Sequence, residues 1–292
     1  MKIDKWLNNK VGSLAGQKIA ITGSTGGLGY SIAEHIAQLG GELILVNRNQ
    51  DKTNRQIELL REHYPNIVIS WVPCDMESKD SVIAAAKELI NKQINVLILN
   101  AGVYHIPTHQ TADGWSNIFQ INFASPYCLA RILSEAMDDR LHIIAVSSIA
   151  MKKRLPDLHD PEGRRYIKPM QLYGYTKMLL SYGLILLDTS SNISIAHPGI
   201  TYTNIMNNYS KVTNAIIRPL MRLIFPSPKR ASRGIVAAIS TRPAPLMWYS
   251  PRLFDIWCKP IVKKLPYLDI RHLAQVIMIC NDIYAKYVNN QD

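Results

Sequence analysis

The chain has 292 residues, 47% of them hydrophobic, enough to bury a sizeable core in one large α/β domain or two small ones. Its four cysteines, Cys74, Cys128, Cys258 and Cys280, lie far apart with no CxxC pair, which argues against a disulfide framework and against a metal site. The formal charge of +11 is uneven: from Thr203 to Asp292 thirteen Lys or Arg face four acids, so this third carries +9 and the rest only +2.

The N-terminal segment is polar, without an apolar h-region, and no uncharged apolar run reaches the ~18 residues of a spanning helix, so a cytoplasmic protein is expected. Apolar β-rich runs follow at Lys18–Thr22, Glu42–Val46, Ile67–Val72, Asn95–Leu99, His142–Val146 and Asn192–Ala196. Helical spacing fills the gaps at Leu28–Leu39, Asp51–His63, Ser78–Asn91, Trp115–Met137 and Leu172–Leu187. This alternation predicts a Rossmann-type α/β fold: one doubly wound parallel sheet of about seven strands, helices on both faces, and a helical C-terminal extension. No linker interrupts the chain. Residues 1–292 are therefore expected to be one domain, with a cofactor and catalytic core over about 15–200 and a substrate lid and extension over 201–292, where eight prolines punctuate short helical pieces.

The first strand leads into Thr22-Gly23-Ser24-Thr25-Gly26-Gly27-Leu28-Gly29, which opens the first long helix. Glycines without Cβ let the backbone turn sharply and approach a pyrophosphate, and the helix N-terminus offers it free N–H groups. The second strand ends Val46-Asn47-Arg48-Asn49, with no carboxylate before Asp51. An acid there would hold a ribose 2′-hydroxyl; a cation suits a 2′-phosphate. Arg48 thus favours NADP(H), with NAD(H) as the alternative. Ser24 and Asn47 are placed to assist with the same phosphate. A solvated surface arginine is the plainer reading of Arg48.

Tyr173 and Lys177 stand four residues apart, one turn apart on one helix face. A free phenol has a pKa of ~10. A neighbouring ammonium favours the phenolate, so the pair is a candidate general acid/base. Tyr175 beside it shows that a tyrosine here can also serve packing. Asn122 is a mediocre mid-helix residue, which suggests a polar task, a satisfied buried amide being the alternative.

The glycine spacing, TGxxxGxG, resembles that of the short-chain dehydrogenase/reductase family, and further motifs agree in order. The resemblance implies an NAD(P)-dependent oxidoreductase acting on an alcohol or carbonyl. It makes Tyr173 the acid/base, Lys177 the holder of the nicotinamide ribose, and Ser148 of Ser147-Ser148 the group that orients the substrate oxygen, with Ser147 as fallback. Asn122 then orders a water leading to Lys177. Asp75, in Cys74-Asp75-Met76, contacts adenine, although it also suits a helix cap. Asn100-Ala101-Gly102 lines the adenosine site, Pro198-Gly199 of His197-Pro198-Gly199 turns over the nicotinamide, and Thr203 lies near its carboxamide.

The interval from Ser148 to Tyr173 is 25 residues, about twice the family's usual spacing. A longer interval is similar to the retinol dehydrogenase and protochlorophyllide reductase branch, as is Asp113-Gly114-Trp115 leading to Asn122. That implies an apolar substrate. Family members are often dimers or tetramers, so a homo-oligomer is a further implication. Ala215–Phe225 mixes large apolar residues with Arg218 and Arg222, which suits a lid or contact with a membrane surface. The dispersed basic charge is not a nucleic-acid signature. The competing reading is a nucleotide-binding regulator or scaffold with this fold and no turnover.

Overall fold

The computed structural model describes residues 5–166, 168–200, 225–241 and 246–289. The six predicted strands form as β1 (Lys18–Thr22), β2 (Glu42–Asn47), β3 (Ile69–Pro73), β4 (Val96–Leu99), β5 (His142–Val146) and β6 (Asn192–Ala196). Two more, β7 (Met247–Leu253) and β8 (Trp257–Lys264), complete one sheet in the order β3-β2-β1-β4-β5-β6-β7-β8. All pairings are parallel except β7 with β8.

Ile19, Ala20 and Ile21 of β1 are wholly buried, as are Leu97 and Ile98 of β4, because apolar cores cover both faces. One face carries α4 (Lys79–Lys92), α5 (Ser125–Met137), α6 (Pro169–Ile185) and α8 (Ile270–Val288). The other carries α1 (Lys5–Val11), α2 (Gly27–Gln38), α3 (Gln50–His63) and α7 (Arg233–Ser240). Asn49 caps α3, Ser78 caps α4 and Asp269 caps α8, each accepting a backbone N–H of the first turn. The terminal helix α8 docks on the body through Val276, Ile279, Ile283 and Tyr287, whose ring stacks on Trp115.

The structure departs from the sequence reading in two places. The expected helix Trp115–Met137 is broken: a short turn at Asn117–Phe119 leads into a wide π-turn, Gln120–Ala124, before α5 begins. Pro126 has no N–H to give the Asn122 carbonyl four residues earlier, so regular helical bonding fails there. The extension, expected to be helical, contains the β7–β8 hairpin as well as α8. Its prolines misled: Pro251 and Pro260 face each other across the hairpin, beyond the two-residue pairing of β7 with β6, where missing N–H groups are tolerated. Thr203 and the segment 215–224 lie outside the described residues. No helix among the described residues is long and apolar enough to cross a membrane.

Candidate active site

The strand order reverses between β1 and β4, and the loops leaving the C-terminal ends of β1, β4, β5 and β6 open around that point, where parallel sheets bind ligands. Gly23 has φ +67°, and a Cβ on it would stand 2.9 Å from Ala101 Cα. A Cβ on Gly29 would lie 2.4 Å from the Gly23 carbonyl oxygen and 2.8 Å from Ser24 Cα. Backbone meets backbone at both positions, so only glycine fits. A Cβ on Gly26 or Gly27 would make only ordinary contacts, at 3.9 Å with the Gly23 carbonyl and 3.8 Å with Pro228 Cγ, and no side chain caps the N-terminus of α2. Its first N–H groups are thus presented to an incoming anion, with Thr25 exposed and Leu28 half-buried beside them. These features fit a dinucleotide pyrophosphate.

The turn is braced from beneath. Asn100 Nδ2 donates to the carbonyls of Thr22 and Gly23, both at 3.0 Å, while Thr22 Oγ1 accepts from the amides of Asn100 and Ala101. Asn47 Oδ1 accepts from Ser24 N at 2.8 Å, and its Nδ2 donates to Ser24 Oγ and Thr53 Oγ1. Ser24 Oγ then donates to Gln56. Both side chains are buried and hydrogen-bonded within the scaffold of the turn.

Arg48 projects from the end of β2, its side chain 64% exposed, with Nη1 3.5 Å from Asp75 and 3.3 Å from Glu77. Asp75 does not cap α4; it accepts from the Glu77 amide and faces Arg48. Met76 is buried, its carbonyl held by Ser125 Oγ.

The candidate reacting residues converge where α6 crosses the end of β5. A Cβ on Gly174 would lie 2.1 Å from the Ala150 carbonyl oxygen, so only a glycine beside Tyr173 lets the Ser148 turn touch the helix. That turn puts the Ser148 side chain near enough to Tyr173 to draw the phenol's pKa down. Tyr104 sets its ring edge-on to Tyr173, centroids 5.5 Å apart. Burial pushes the Tyr173 phenol up to about 12, and Ser148 draws it only partly back. Lys177, expected to lower that value, has Nζ 5.8 Å from the ring centroid and donates to the Val146 carbonyl at 2.9 Å. In this arrangement burial, not the ammonium, governs the phenol. Burial also lowers Lys177 itself to about 8.

Ser147, the fallback, is buried between Ser181 Oγ and Met151 Sδ and does not face the site. Tyr175 is the packing tyrosine: it is fully buried, with its ring on Tyr166 and its hydroxyl on the Pro161 carbonyl. The long insert therefore docks on α6 one residue beyond Gly174. Asn122 lies on the π-turn with both side-chain groups closed on Val103, accepting from its amide at 2.8 Å and donating to its carbonyl at 2.9 Å. Gly102 keeps this junction open; a Cβ there would meet Asn122 Oδ1 at 3.2 Å and Lys177 Nζ at 3.3 Å.

Gly199 has φ +85° and a Cβ on it would approach the Ile256 carbonyl to 2.8 Å, so the turn after His197-Pro198 is locked against the hairpin. His197 is buried and stacked on Trp248. Sequence reasoning missed Gly174 and Tyr104. Gly174 had a signal, a glycine inside an otherwise good helix.

The short chain dehydrogenase family profile matches residues 17–159. Polyprenol dehydrogenase of Homo sapiens is 26% identical over 236 residues, covering 75% of this chain and 72% of that protein. Retinol dehydrogenase 12 of Mus musculus is 26% identical over 230 residues, covering 76% and 71%. Among solved structures, an uncharacterised protein of Mycobacterium paratuberculosis superposes with a TM-score of 0.71 at 20% identity, over 93% of this chain and 94% of that one. L-sorbose reductase of Gluconobacter frateurii, complexed with NADPH and L-sorbose, superposes at 0.59 and 20% identity, over 79% and 92%.

Proposed function

The chain belongs to the short-chain dehydrogenase/reductase family, in its retinol dehydrogenase-like branch, and is an NAD(P)-dependent oxidoreductase; from that premise we propose that it interconverts an alcohol and a carbonyl on an apolar substrate, with NADP(H) preferred over NAD(H). The observation that carries this reading is buried Lys177 with its Nζ 5.8 Å from the Tyr173 ring centroid, beside the Ser148 turn at the C-terminal edge of the sheet.

The α2 N-terminus and the glycine turn would hold the pyrophosphate of a nicotinamide cofactor, which would supply or accept the hydride. The protein handles the proton. In the reductive direction Ser148 hydrogen-bonds the carbonyl oxygen, and Tyr173 donates its phenolic proton to that oxygen as hydride reaches the carbon. A phenol held up to about 12 is fully protonated near neutral pH, the form this step needs. Removing a proton from an alcohol needs the phenolate, so oxidation gains from alkaline pH. Lys177, mostly charged at pH 7, would hold the ribose and favour the phenolate as the proton leaves. Asn122 and Gly102 fix the floor beside its ammonium.

NADP(H) is favoured by Arg48, and NADPH occupies the related L-sorbose reductase. Polyprenol and retinol, for which the two relatives are named, are alcohols on long apolar chains, which agrees with the long Ser148–Tyr173 insert beside the site mouth.

The test is Tyr173→Phe, assayed with retinoids, polyprenols, ketones and aldehydes. Turnover should fall at least ~1,000-fold, with NADPH affinity nearly unchanged. Activity retained in the variant would overturn the mechanism, and NADPH binding by the wild type without turnover of any substrate would favour the regulatory reading.

A further inference from the structure

Arg48 does not stand alone at the end of β2. Its Nη1 lies between two carboxylates, 3.5 Å from Asp75 Oδ1 and 3.3 Å from Glu77 Oε1. Glu77 is in turn fixed from its other oxygen, Oε2, by His109 Nε2 at 2.8 Å. The tautomer of His109 follows from Asn117. Asn117 Oδ1 accepts from the amides of His109 and Ile118, and its Nδ2 donates to the Pro107 carbonyl at 3.0 Å. The same Nδ2 is 3.0 Å from His109 Nδ1, which must therefore accept. Neutral His109 carries its proton on Nε2 and gives it to Glu77. A chain of bonds from wholly buried Asn117 thus anchors the Glu77 carboxylate next to Arg48.

The local charge has a consequence for the cofactor. Arg48, Asp75 and Glu77 sum to −1 where the sequence alone showed a cation. A ribose 2′-hydroxyl meets that site without penalty. A 2′-phosphate must take Arg48 from its acidic partners and then sit near a carboxylate that His109 prevents from swinging away. We propose that Glu77, positioned by His109, is a specificity-determining residue that restrains the preference for a 2′-phosphorylated nucleotide by competing for Arg48. This rests on Arg48 being the group that receives the 2′-phosphate.

The ligands for the test are adenosine 2′,5′-bisphosphate and 5′-AMP, which differ by the 2′-phosphate alone; their dissociation constants are measured by calorimetry on the full chain. The wild type is compared with Glu77→Gln, Arg48→Gln and the double variant, and 5′-AMP binding reports that each variant is folded. Glu77→Gln should tighten the bisphosphate relative to 5′-AMP by about threefold to tenfold, the range for a solvent-screened ion pair next to a phosphate. In the Arg48→Gln background the same substitution should change the ratio by less than about twofold, since Glu77 acts through Arg48. An unchanged ratio in Glu77→Gln, while Arg48→Gln weakens the bisphosphate, overturns the role of Glu77 alone. So does an equal gain with and without Arg48, which would reveal general repulsion. If Arg48→Gln leaves the bisphosphate as tight as before, the Arg48 reading itself fails.

Discussion

Replacing Lys177 by methionine is expected to stabilise the fold while ending turnover. Lys177 is 2% exposed, and its described hydrogen bond is a single one, to the Val146 carbonyl. Burial lowers its pKa from 10.5 to about 8. At ~1.4 kcal/mol per pH unit, keeping it charged at pH 7 costs the folded state about 3 kcal/mol. Methionine fills a similar volume without a charge, and the Val146 carbonyl left without a donor costs ~1 kcal/mol. The net gain at pH 7 is therefore about 1–2 kcal/mol. The pH dependence has a definite sign. Between about 8 and 10.5 the unfolded chain holds a proton that folded Lys177 has released, so the wild type gains stability as pH rises through that window. Methionine has no such gain, so its advantage shrinks toward pH 10. Urea unfolding at pH 7 and pH 10, followed by tryptophan fluorescence, measures both quantities. A variant less stable than the wild type at pH 7 would refute the reasoning, because Lys177 would then be a net structural tie, not a charge kept for function at a cost to stability.

His197 is buried, and burial lowers its pKa from 6.5 to about 4. As pH falls through that window the unfolded chain takes up a proton that the folded chain refuses, so this residue should weaken the fold by up to ~3 kcal/mol; the slope of stability against pH should be flatter in His197→Gln, and equal slopes would contradict it. Gly29→Ala should lower nucleotide affinity at least ~100-fold, since its Cβ meets backbone at 2.4 Å, whereas Gly26→Ala, where the nearest atom is 3.9 Å away, should bind within a few-fold of wild type. Calorimetric titration with NADPH separates the two, and equal losses would show that the turn does not depend on that close approach.

Much of the framework was legible in the chain itself. Strands buried on both faces are near-continuous apolar runs, so β1, β2, β4, β5 and β6 were found within a residue or so of their ends. The glycine turn was legible because only glycine permits such backbone contacts, and the Tyr173–Lys177 spacing because helical geometry puts residues four apart on one face. The β7–β8 hairpin was not, since prolines that break a helix are tolerated at the margin of a sheet. The broken helix at Asn122 had a signal in Pro126, whose missing N–H acts on a carbonyl four residues back.

The order of elements and the identity of the chemical groups are written in the chain, because periodicity, glycine freedom and side-chain type are local properties. What those groups experience depends on how the chain packs. Gly174 brought Ser148, not Ser147, to Tyr173. Burial raised the phenol that a neighbouring ammonium was expected to lower. The acids after β3, joined through Glu77 to a histidine from the loop beyond β4, turned the cation at Arg48 into a site of net negative charge. Desolvation and charge pairing depend on neighbours distant in the chain, and only the folded backbone fixes which neighbours those are.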